Sequence, residues 1–93
     1  MGQEAVSIFE ELLGPDNPRT AIAVTIHGRA LRAKGDMAGA EKMYRRALGI
    51  GERALGPKHP QTLDDARALA ALLRETGKIG QALEIEKRLL DER

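Results

Sequence analysis

Apolar residues recur along this chain at intervals of three and four, with charged residues between them, and two-residue alternation is absent. That rhythm predicts helices throughout. Breaks at Gly14-Pro15, Gly35, Gly56-Pro57 and Gly77 divide the chain into five: about Gly2 to Leu13, Thr20 to Lys34, Met37 to Leu55, Gln61 to Thr76 and Ile79 to Glu92. The inner stripes read Ala5, Phe9, Leu12, Leu13; then Ala23, Val24, His27, Ala30, Leu31; then Ala40, Met43, Tyr44, Ala47, Leu48; then Ala66, Leu69, Ala70, Leu73; and last Ile79, Ala82, Ile85, Leu89, Leu90. Gly35 is expected to end its helix in the left-handed conformation. Gly49 and Gly51 are expected to weaken the third helix near its end. The short connections after Lys34 and Thr76 force antiparallel helix pairs.

The proline-rich linker is written twice. Leu13-Gly14-Pro15-Asp16-Asn17-Pro18-Arg19-Thr20 returns as Leu55-Gly56-Pro57-Lys58-His59-Pro60-Gln61-Thr62, an offset of 42 residues that also pairs Ala5 with Ala47, Leu31 with Leu73, Gly35 with Gly77 and Ala40 with Ala82. A fixed period of this size marks stacked structural repeats, whose shared core is buried only between neighbours. Residues 1–17 then supply the second helix of an incomplete unit, 18–59 a full unit, and 60–93 a second unit that stops before its linker. In that register the chain is expected to be a piece of a longer array, excised or designed, with open ends through which copies could stack into a homo-oligomer.

The spacing of these residues resembles the tetratricopeptide repeat family, and more closely its 42-residue variant found in kinesin light chains. Gly28, Leu31, Gly35, Ala40, Tyr44 and Ala47 stand where that pattern wants a small residue, a large apolar, glycine, alanine, an aromatic and alanine. Leu69, Ala70, Leu73, Gly77 and Ala82 repeat it, while Glu86 and Leu89 depart from it, which predicts a looser last helix pair. The resemblance implies an all-α right-handed solenoid acting as a non-enzymatic scaffold for a partner protein or peptide. It also implies a concave surface made by the first helix of each unit. Carried over position by position, that surface takes Ile22, Thr25, Arg29, Arg32 and Ala33, then Asp64, Arg67, Ala71, Arg74 and Glu75.

Of these, Thr25, Arg29, Arg32, Arg67 and Arg74 are the candidate contacts. Guanidinium groups offer planar forks for carboxylates, so an acidic segment or a C-terminal carboxylate is the ligand the arginines suggest. The same arginines also suit a solvated face, paired along their helices with acids such as Asp64 and Glu75.

Composition narrows the remaining classes. The formal net charge is +1, and one Phe and one Tyr are the whole aromatic supply, so neither a basic surface nor stacking platforms point to nucleic acid. No apolar run is long enough to cross a bilayer, and the first residues lack a signal peptide's basic and apolar runs. With no cysteine there is no disulfide framework, and the expected location is cytoplasmic. His27 and His59 lack both the i, i+4 spacing of helical metal ligands and a neighbouring nucleophile, so no metal, cofactor or catalytic residue is expected. His59 falls in the linker phrase, where the family resemblance implies a turn-shaping role.

Overall fold

The computed structural model describes residues 2–91; Met1, Glu92 and Arg93, and with them the expected end of the last helix, lie outside the described residues. Five helices account for the secondary structure of that range: α1 (Gly2–Leu13), α2 (Pro18–Ala33), α3 (Met37–Ala54), α4 (Pro60–Glu75) and α5 (Ile79–Asp91). Each packs on its sequence neighbours, α1 on α2, α2 on α3, α3 on α4 and α4 on α5. The result is an all-α solenoid.

Helices α2 and α4 begin two residues and one residue earlier, respectively, than periodicity alone suggests, at Pro18 and Pro60. Proline suits the first turn because the N–H it lacks would have no intrahelical partner there. The residue before each proline completes the cap: Asn17 Oδ1 accepts from the Arg19 amide at 2.9 Å and His59 Nδ1 from the Gln61 amide at 3.1 Å. His59 is therefore a capping residue, occupying the place that Asn17 holds 42 residues earlier. At the other end of α2, Gly35 adopts φ of 89°, the left-handed conformation expected of it. Asp36 then caps α3 by accepting from the Gly39 amide at 2.9 Å.

Two apolar clusters hold the layers together. Val6, Ala21, Ala23, Val24, Ala47 and Ile50 join α1, α2 and α3, while Ala40, Tyr44, Leu69, Ala70, Leu72, Leu73 and Ala82 join α3, α4 and α5. Each includes three alanines, whose small side chains let the backbones approach closely. Gly51 illustrates this: a Cβ at that position would lie 2.9 Å from Thr62 Oγ1, so the glycine expected to weaken α3 is also what lets α4 close on it. Several expected inner residues face outward instead. Leu12 is 75% exposed, Ala30 is exposed, and Ile79 and Leu90 lie on the outer side of α5.

Glu86, which departs from the aromatic pattern, accepts from Arg74 Nε at 2.6 Å and Nη2 at 2.9 Å. A polar clamp between α4 and α5 thus replaces the aromatic contact that Tyr44 makes one unit earlier.

Candidate functional site

Helices α2 and α4 meet through Thr25 and Asp65 and through Arg32 and Glu75, which places their outward faces side by side. The arginines predicted to share one surface divide between two. Thr25, Ile22, Ile26, Arg29, Asp64 and Asp65 line an open cleft of about 420 Å³ between α2 and α4. Arg29 and Arg32 line an adjoining cleft of about 490 Å³, with Ala33, Met37, Tyr44 and Ala68. Arg29 borders both and so stands at their junction. Arg67 and Arg74 line a separate hollow of about 390 Å³ on α4 and α5, with Glu86, Leu89 and Leu90. By the 42-residue offset, Arg67 and Arg74 are the counterparts of Thr25 and Arg32, so this hollow is the next unit's version of the first surface.

Ion pairing separates the four arginines further. Arg32 bridges from α2 to Glu75 of α4, and its Nε donates to the same carboxylate at 3.2 Å. Arg67 pairs with Asp64 at 3.2 Å, one turn away on its own helix, and Arg74 is held by Glu86. Arg29, exposed on α2, has no ion-pair partner among the described residues. Beside it on α2 stand two exposed isoleucines: Ile22 is 46% and Ile26 53% exposed, at positions seven and three residues before Arg29. A helix turns 3.6 residues per turn, so all three share one face. Exposed isoleucines next to an uncompensated guanidinium make a surface that can accept aliphatic groups and one anion together.

Sequence reasoning missed the floor of this cleft. Asp65 is only 6% exposed, and its Oδ1 lies 3.1 Å from Thr25 Oγ1 across the α2–α4 interface. Its Oδ2 is buried with no hydrogen-bond partner among the described residues. Burial raises the carboxyl's pKa above the ordinary value, Thr25 and the Arg29 charge pull it back down, and the neighbouring Asp64 adds to the rise. Of the two adjacent aspartates, the repeat register places only Asp64 on the surface and passes over Asp65. The available signal was its spacing from Ala66 and Leu69, which places it at the edge of the buried stripe.

With the five helices and the clefts along α2, α4 and α5 in place, the chain can be compared with known families. A family model described as the tetratricopeptide repeat matches residues 22–91. The chain belongs to the tetratricopeptide repeat family. No curated protein matches it. As a tetratricopeptide repeat protein it carries a repeat type that commonly mediates protein–protein interaction and is generally non-enzymatic. Within that match α2 packs on α3 and α4 on α5, and α1 packs on α2. The cleft at Thr25, Arg29 and Asp65 lies between α2 and α4.

Proposed function

We propose that this chain is a non-enzymatic interaction module whose concave face, formed by α2 and α4, holds an extended segment of a partner protein with mixed aliphatic and acidic character. The observation that carries the reading is Arg29, a guanidinium without an ion-pair partner among the described residues, seated beside the exposed Ile22 and Ile26. No ion pair at Arg29 among the described residues has to be broken before a partner carboxylate binds there. At Arg32, Arg67 and Arg74 the same ligand must compete with Glu75, Asp64 and Glu86. Thr25, Arg32, Arg67 and Arg74 are secondary contacts in this reading. The 42-residue period and the doubled Leu-Gly-Pro phrase support placing the chain in the kinesin-light-chain-like variant of the family.

The test is fluorescence anisotropy with a labelled peptide alternating leucine and glutamate, against its glutamine counterpart. Preferential binding of the glutamate peptide supports the acidic reading. Equal binding leaves a purely apolar groove and removes it.

A second reading, end-to-end stacking of copies without a groove ligand, is favoured by one observation: Leu12 on α1 and Leu90 on α5, at 75% and 64% exposure, present apolar surface at opposite ends of the helix series. A molar mass that rises with concentration would support it.

A further inference from the structure

Thr25 and Asp65 pose a proton-counting problem. Thr25 Oγ1 lies 3.0 Å from the Ala21 carbonyl oxygen and 3.1 Å from Asp65 Oδ1. A hydroxyl has one proton to donate, so it cannot satisfy both acceptors. When Asp65 is ionised, either the Ala21 carbonyl keeps only its helical bond, or the carboxylate goes without its one polar partner; in both cases Oδ2 stays buried and unpartnered. When Asp65 is protonated, it donates to Thr25 Oγ1 and Thr25 donates to Ala21. A complete chain then runs from α4 to the backbone of α2.

The surroundings say what happens when that proton leaves. From α2, Thr25 and Arg29 act on Asp65; from its own helix, Asp64 does so, and α3 and α5 bring no charged group to it among the described residues. Arg67, the other cation on α4 near the cleft, is engaged by Asp64. Arg29 is thus the one nearby guanidinium able to compensate a buried carboxylate, and an unpaired buried charge is costly enough to recruit it.

We propose that Asp65 is a proton-linked switch on the groove: protonated, it bonds to Thr25 and leaves Arg29 free for an anionic ligand; ionised, it draws Arg29 onto itself and withdraws that cation from the ligand. The inference rests on the reading of Arg29 as the principal cation for a partner. It adds regulation: acidification opens the site to acidic segments.

The switch itself is tested without ligand. The Asp65 side-chain carboxyl is followed by carbon-13 NMR, and the Arg29 Nε–H correlation by nitrogen-15 NMR, from about pH 3 to about pH 8, in the wild-type chain and in Asp65→Asn. The expected result is an Asp65 midpoint above the ordinary value, a transition of the same midpoint in Arg29, and no such transition of Arg29 in Asp65→Asn. An Asp65 midpoint at or below the ordinary value, or an Arg29 response unchanged in Asp65→Asn, overturns the proposal. In a parallel titration of the leucine–glutamate peptide, wild-type affinity falls several-fold relative to Asp65→Asn as pH rises through that midpoint. If both resonances co-titrate but the peptide never binds, the switch stands and the ligand reading falls.

Discussion

Gly28 of α2 and Tyr44 of α3 are fitted to one another: a Cβ on Gly28 would lie 2.9 Å from Tyr44 Cε1, 3.0 Å from Cδ1 and 3.1 Å from Met43 Cβ. The tyrosine ring is 1% exposed. One unit later both partners change together, Ala70 standing for Gly28 and Glu86 for Tyr44. Alanine is the better helix former by about 1 kcal/mol. At position 28 the overlap outweighs that gain, and Gly28→Ala is expected to destabilise the fold by about 1–3 kcal/mol in urea unfolding. Combining it with Tyr44→Leu recovers part of the loss in a double-mutant cycle. Additive effects would mean that the two residues are not coupled.

The two linker threonines make a second pair with opposite consequences. Thr20 Oγ1 donates to the Gly14 carbonyl at 2.8 Å, bracing the first linker, while its counterpart Thr62 buries a hydroxyl with no partner among the described residues. Thr20→Val should cost about 1 kcal/mol or more because it leaves a carbonyl unmet. Thr62→Val should be neutral or stabilising, since it removes an unsatisfied group. Thermal melts of the two variants decide the matter, and equal losses would refute the distinction.

Stability should respond to pH with opposite signs at two acids. Hydrogen bonding from Lys78, ahead of Arg45, lowers the Glu41 pKa against a smaller opposing effect of burial. Its contribution is present above the unfolded value and lost as pH falls through the native one. Asp65, raised by burial, contributes stability that is present below the unfolded value and lost as pH climbs through the native one. Glu41→Gln is therefore expected to cost most at neutral pH and least in acid. Asp65→Asn gains on wild type as pH rises. Parallel pH trends in chemical denaturation would contradict this.

The exposed leucines give a prediction about mass. If copies stack through the outer faces of α1 and α5, light scattering finds a molar mass rising with concentration, and Leu12→Glu or Leu90→Glu returns it to the monomer. A constant monomer mass in the unaltered chain eliminates this reading.

The helices and their order were legible in the sequence because glycine and proline punctuate a strong 3.6-residue rhythm, and because the linker phrase is repeated. The helix starts were less so. Pro18 and Pro60 read as loop until their caps, Asn17 and His59, are seen to support them from outside. Burial on α5 was misread for a different reason: Leu90 matches the half-buried Leu48 one unit earlier, but no helix lies over it among the described residues. Pattern specifies which face a residue takes, whereas burial requires a neighbour. Of the site, Arg29 borders both the cleft lined by Thr25 and the one lined by Arg32. What separated Arg67 and Arg74 from them was the packing of α5 on α4, which encloses both in a hollow of their own and supplies Glu86 to Arg74; the Arg67–Asp64 pair, one turn apart on α4, was legible in the sequence. Asp65 escaped notice because its burial depends on a cross-repeat contact with Thr25, 40 residues away.

The central claim is that Arg29, rather than the arginines already paired, receives an acidic partner segment. The most direct measurement is the affinity of the leucine–glutamate peptide for Arg29→Gln and Arg67→Gln beside the unaltered chain, at a pH where Asp65 is protonated. A charge-assisted hydrogen bond is worth about 1.5–3 kcal/mol, so Arg29→Gln is expected to weaken binding by about tenfold or more, and Arg67→Gln only slightly. Equal losses in the two variants, or no loss in Arg29→Gln, would contradict the account.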